Sequence, residues 1–154
     1  MAIDKVREYF KEYNMDNKIQ EFNVSSATVE EAAKALNTEG KRIAKTLSFK
    51  TKDDIILVVL AGDAKVNNGK YKAFFHEKCH MLPFEEVNEL IGHPVGGVCP
   101  FAVKDGVKIY LDESLKRFET VFPACGSANS AIELTIPELE KYSNSLGWID
   151  IATY

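Results

Sequence analysis

The chain has few of the residues that build stapled or metal-dense proteins. Three cysteines in 154 residues, Cys79, Cys99 and Cys125, are too few and too irregularly spaced for a disulfide framework. No apolar run approaches the length of a membrane span. The opening Met1-Ala2-Ile3-Asp4-Lys5-Val6-Arg7-Glu8 lacks the apolar core of a signal peptide. Basic charge is not in excess either: 19 Lys and Arg against 23 Asp and Glu leave a net charge of -4. That balance argues against broad, salt-driven nucleic-acid binding, while a local contact with one RNA end stays open. A Walker loop, a dinucleotide fingerprint and a G-x-S-x-G nucleophile elbow are all missing. What remains predicts a reduced, cytoplasmic enzyme or binding protein. At this length, residues 1–154 fit one domain that buries a real core without staples.

Periodicity predicts interspersed helices and strands. Ile3, Val6, Phe10 and Tyr13 stand at helical spacing. Thr28 and Glu31 form a capping-box pattern, with Gly40 as the expected stop. Ile43–Phe49 and Ile55–Ala61 read as a hairpin around a polar turn. Lys70–Phe75 reads as a short helix, and Pro83 opens another with Phe84, Val87, Leu90 and Ile91 on one face, ended by Gly92. Val107–Leu111, Phe118–Cys125 and Ala131–Ile136 read as strands. Thr135, Pro137 and Glu138 mark a final helix start. Short links between strands favour antiparallel pairing, so the expected class is α+β with a mixed, largely antiparallel sheet.

Four groups of residues carry chemistry. Lys45 shares a strand face with Ile43, Leu47 and Phe49. A lysine there either snorkels to the sheet edge or meets an anion or polar substrate atom in a cleft. Gly96-Gly97-Val98-Cys99-Pro100-Phe101 is a sharp turn whose N–H groups can converge on a developing oxyanion. Within it Cys99 follows His93, the pairing that a thiol nucleophile would need, although cysteine is also a common buried residue. Gly126-Ser127 and Asp112 can orient a polar substrate group, or can be a turn and a helix cap. Finally, His76-Glu77-Lys78-Cys79-His80 matches H-E-x-x-H, a zinc-protease string that requires a continuous helix. Pro83 and the strand-like Met81-Leu82 speak against such a helix.

Taken in order, several segments resemble the YbaK/EbsC family, the prolyl-tRNA-synthetase-associated editing domain. They are Thr28–Ala32, Arg42–Leu47, Val59–Asp63, Gly96–Phe101, Ile109–Leu115 and Cys125–Ser130. The resemblance spans roughly residues 20–150. It implies a sheet curled toward a barrel with flanking helices. It also implies trans-editing hydrolysis of the ester of mischarged aminoacyl-tRNA, with tRNA(Pro) carrying a small amino acid as substrate. The partners it implies are the tRNA acceptor end and prolyl-tRNA synthetase, with no metal, other cofactor or membrane. By the same resemblance Lys45 and the Gly96, Gly97, Val98, Cys99 and Pro100 loop form the catalytic set. Thr46, Phe101, Asp112, Gly126 and Ser127 bind substrate. The His-Pro-Leu-x-Asn stretch of the alanine-specific branch is missing, which weakens alanine as the substrate. Two other readings compete: a non-catalytic relative that binds a tRNA end or a partner, and a zinc metalloprotease.

Overall fold

Helix starts follow the side-chain chemistry of their first residues. The computed structural model describes all of residues 1–154. Helix α1 (Ala2–Lys11) buries Ile3, Val6 and Phe10, and Tyr13 lies past its end, exposed. A short strand β1 (Gln20–Glu21) leads to α2 (Val29–Leu36), where the Thr28 hydroxyl accepts from the Glu31 N–H and the Glu31 carboxylate accepts from the Thr28 N–H. This reciprocal bonding satisfies two donors that a bare helix end would leave open. Asn37, not Gly40, closes the helix in the left-handed conformation. Asparagine tolerates that conformation, so the helix stops one turn earlier than the glycine suggested.

Strands β2 (Ile43–Lys50) and β3 (Ile55–Ala61) form the expected antiparallel hairpin. β4 (Lys65–Val66), α3 (Asn68–Phe75) and α4 (Phe84–Ile91) follow. The chain then forms β5 (Lys108–Asp112), β6 (Thr120–Pro123), β7 (Ser130–Ala131) and β8 (Leu134–Thr135). Helix α5 (Ile136–Ser143), capped by Thr135 and Glu138, precedes β9 (Trp148–Ile149) and β10 (Ala152–Thr153). The main sheet runs β8-β6-β2-β3-β5-β9 and is curled into a half-barrel. The pairs β2–β3 and β6–β8 are antiparallel, whereas β2–β6, β3–β5 and β5–β9 are parallel. Thus the mixed sheet is present, and its parallel contacts join strands separated by long crossovers, which short-link reasoning does not reach. The single predicted strand over Ala131–Ile136 is two short strands, one pairing with β1 and the other with β6.

The hydrophobic run of β3 is buried along nearly its whole length. Ile56, Val58 and Leu60 join the main core with Val6, Phe10, Tyr71 and Leu139. Leu57 faces the other way, with Ile109, and packs against Val87 and Ile91 of α4. A strand covered on both faces needs no polar alternation, which explains the continuous apolar string. A third, small cluster of Ala32, Ile43 and Phe122 ties α2 to β2 and β6. Between α2 and α4, along β2, the sheet is left uncovered.

Candidate active site

The uncovered part of β2 is the floor of a cleft of about 440 Å³. Fifteen of its 22 lining residues are hydrophobic, so a charge or hydroxyl inside it is poorly hydrated. Val29 and Ala32 of α2 line one side, and Leu82, Phe84 and Val87 line the other. Val95, Gly96 and Val98 contribute from the glycine loop, and Phe122 from β6.

Lys45 and Thr46 of β2 both line this cleft. The Lys45 side chain is half-buried, and its Nζ lies 3.4 Å from the Gly62 carbonyl oxygen. Burial lowers its pKa from the usual lysine value; the nearby Asp63 and Glu30 carboxylates oppose that shift, and Lys65 adds to it. Asp63 itself is engaged by Arg117, whose Nη1 and Nη2 reach its two oxygens at 3.0 and 2.5 Å. The ammonium therefore bonds a backbone carbonyl and no carboxylate. Phe49, on the same periodic face of the strand, is instead fully buried in the main core. The Thr46 Oγ1 is buried and has no hydrogen-bond partner in the fold. An orphan hydroxyl is costly by about 1–3 kcal/mol.

The glycine loop packs directly on the Gly126-Ser127 turn. A Cβ at Gly97 would stand 2.5 Å from the Ser127 nitrogen and 2.7 Å from its Cα. The Gly126 N–H donates to the Gly97 carbonyl at 3.1 Å. The Gly97 N–H is also engaged, donating to the Pro94 carbonyl at 3.0 Å. Gly96 and Val98, which flank it, line the cleft, and their N–H groups donate to no protein acceptor. Ser127 lies behind this wall: its Oγ bonds the Ser130 Oγ at 2.7 Å and the Asn129 Oδ1 at 2.9 Å. Asn129 in turn donates to the Phe22 carbonyl, bracing the turn against the segment before α2.

The model of the aminoacyl-tRNA editing domain family matches residues 24–142. The chain belongs to that family. It is 52% identical over 152 residues to the uncharacterized protein YwhH of Bacillus subtilis (strain 168), covering 98% of this chain and 97% of that one. It is 30% identical over 123 residues to the proline–tRNA ligase of Kosmotoga olearia, covering 75% of this chain and 21% of the ligase. A crystal structure of a candidate trans-editing enzyme for prolyl tRNA synthetase superposes with a TM-score of 0.88 at 26% identity, covering 99% of this chain and 98% of that one.

Within this editing domain, four of the expected site residues, Lys45, Thr46, Gly96 and Val98, line the cleft, and Gly97 backs it. Gly126 and Ser127 support the loop from behind. Cys99, Pro100 and Phe101 turn into the interior. Cys99 does meet His93, at 3.5 Å, but the His93 Nε2 lies 2.7 Å from the Phe101 carbonyl. Only a protonated nitrogen bonds a carbonyl, so Nε2 carries the hydrogen and cannot take the thiol proton. Burial pushes the Cys99 thiol up to about 12, which leaves it inert as a nucleophile. Phe101 packs edge-on against Phe10 at 4.8 Å. Asp112 is fully buried, and its oxygens accept from the Ser114 and Ile151 N–H groups, both at 2.9 Å. It caps the turn at Glu113–Arg117 and ties down the C-terminal strand; its carboxylate is not available to a substrate amine.

The H-E-x-x-H string lacks its helix. Helix α3 ends at Phe75, and His76 takes the left-handed conformation as its cap. Glu77 turns away to accept from the Lys52 N–H at 3.0 and 3.2 Å. Residues absent from the sequence-based site are Met81, Phe84 and Val95, all exposed at the cleft mouth. Spacing predicts Phe84 on the buried face of α4, yet it is 74% exposed. Its position at the first residue of the helix carries it past the edge of the cluster that buries Val87 and Ile91.

Proposed function

We propose that this chain is an aminoacyl-tRNA deacylase, with residues 1–154 acting as one editing module in trans. Its proposed substrate is tRNA(Pro) carrying a small non-cognate amino acid. The observation that carries this reading is that Lys45, Thr46, Gly96 and Val98 line one apolar cleft, with the Gly96 and Val98 N–H groups lacking a protein acceptor. The likeness to proline–tRNA ligases supports tRNA(Pro) as the carrier.

An aminoacyl ester is already activated, so a water molecule held against its carbonyl carbon suffices as nucleophile. The C–O bond to water forms while negative charge collects on the carbonyl oxygen. The Gly96 and Val98 N–H groups, with Lys45, stabilise that oxyanion in a site where water competes poorly. Collapse breaks the bond to the ribose oxygen, which takes a proton that originates from the water. Free amino acid and tRNA leave. Thr46 forms part of the cleft wall beside Lys45. Hydrolysis in a second pocket is what accuracy requires, because a synthetase pocket gains only about 1–3 kcal/mol against one missing methylene.

The test is a panel of tRNA(Pro) charged with serine, threonine, cysteine, alanine or 2-aminobutyrate. Wild-type protein is expected to hydrolyse at least one member, and Lys45→Ala to lower kcat/KM by about 10²–10³, the range for removing one oxyanion donor. Hydrolysis of no member, or full activity in the variant, refutes the reading. Binding of a tRNA end without turnover would assign the cleft to a non-catalytic relative.

A further inference from the structure

Three large apolar side chains stand exposed around the cleft mouth: Phe84 at 74%, Met81 at 57% and Val95 at 43%. Exposed apolar groups scattered singly need no explanation, but three on the rim of one cleft do. None of them supports the core. Met81 is carried on a short extension of the sheet, bridged to Phe49, with the Leu82 N–H bonded to the Ser48 carbonyl. On the same extension the Lys50 N–H donates to the His80 carbonyl. Lys50 and His80 are both exposed, and neither side chain forms an ion pair. Phe84 is followed in α4 by the acidic Glu85 and Glu86.

We infer that the rim of Phe84, Met81 and Val95 is a stacking platform for the unpaired terminal base of the tRNA. The inference rests on the deacylase reading of the cleft. In an aminoacyl-tRNA the amino acid is esterified to the same ribose that carries the last base. An amino acid seated on Lys45 and Thr46 therefore leaves that base at the mouth, within reach of the rim. A phenyl face and two apolar neighbours suit a base, because every base has an apolar π-face that stacks without sequence readout. Charge sets the direction of the strand. Glu85 and Glu86 repel a phosphate chain and the exposed Lys50 ammonium attracts it, so it leaves past Lys50. The rim thereby supplies affinity that the chain's net charge of -4 does not.

The experiment compares wild type, Phe84→Ala and Phe84→Trp on three tRNA(Pro) molecules. The first is mischarged tRNA with its normal end, the second is the same molecule with the terminal base removed, and the third is uncharged tRNA with 2-aminopurine as terminal base. Phe84→Ala is expected to raise KM on the normal substrate about ten- to a hundredfold with little change in kcat, and Phe84→Trp to restore it. Base removal is expected to cost wild type a similar factor. The two losses overlap, so both changes together cost no more than either alone. The 2-aminopurine fluorescence is quenched by wild type and Phe84→Trp, and not by Phe84→Ala. Hydrolysis with an unchanged KM in Phe84→Ala, or additive losses, overturns the platform while leaving the deacylase reading intact. Quenching by wild type without hydrolysis of any charged tRNA keeps the platform and removes the deacylase. Self-association abolished by Phe84→Ala, with no quenching, assigns the rim to a second copy of the chain and overturns the proposal. Because Phe84 is exposed, unchanged thermal unfolding is expected of both variants.

Discussion

Asp112→Ala should unfasten the C-terminal end of the chain rather than disturb substrate. The carboxylate is fully buried and accepts from two backbone donors, Ser114 N–H and Ile151 N–H, each at 2.9 Å. Alanine removes both acceptors and leaves two N–H groups in an interior without water. Each unsatisfied donor costs about 1–3 kcal/mol, so the expected loss is about 2–6 kcal/mol. Against a domain stability of about 5–15 kcal/mol this brings the variant close to unfolding. Asp112→Asn keeps one amide oxygen as acceptor and turns an amide donor toward the other N–H, so about half the loss is expected. Urea denaturation followed by Trp148 fluorescence measures it directly, since Trp148 pairs with Leu111 next to the site of substitution. The midpoint should fall with little change in slope, and kcat/KM per folded molecule should stay within a few-fold of wild type. A wild-type midpoint in Asp112→Asn, with a hundredfold fall in kcat/KM, would refute this reasoning and return the carboxylate to the substrate.

Three further outcomes follow from the same geometry. Lys45 has a folded-state pKa below its unfolded value, so the unfolded chain holds more protons between the two and stability rises with pH there. Lys45→Met should therefore raise Tm at neutral pH, flatten that alkaline rise, and lower kcat/KM by about 10²–10³ as Lys45→Ala does; a Tm lower than wild type would show the ammonium to be well paired. Gly97→Ala forces a methyl group into the Ser127 backbone, so stability should fall by an amount typical of overpacking, about 1–3 kcal/mol, read as a lower Tm, with hydrolysis reduced as Gly96 and Val98 shift. Cys99→Ala should keep kcat within a few-fold, and the native thiol, pushed up to about 12 and buried, should resist alkylation at pH 8 until the protein is unfolded. Rapid native labelling of Cys99 together with loss of activity would contradict both statements.

Much of the architecture was legible because it is local. The capping boxes at Thr28 and Thr135 bond within one turn, and the Ile43–Ala61 hairpin joins adjacent strands. Their outcome depends on neighbouring residues alone, so spacing and residue type suffice. Helix ends were harder: Gly40 looked like a stop, yet Asn37 took the left-handed position and Gly40 serves a close contact with Gly62. At Gly62 a Cβ would lie 2.0 Å from the Gly40 carbonyl oxygen, a demand that arises between two elements and leaves no local trace.

By itself, the order of motifs from Thr28 to Ser130 determined the family, and the alternation of β2 singled out Lys45 as a lysine that needs an explanation. Tertiary structure decided which candidates meet. It turned Cys99 and Phe101 inward, joined Asp112 to a backbone donor 39 residues away, ended α3 before its histidines could share a face, and left Thr46 without a partner. It also carried Phe84 past the edge of the core onto the cleft rim. The physical reason is the same in each case. A side chain's chemistry is written in its residue type, but its hydration, its pKa and its hydrogen-bond partners are set by what folds against it.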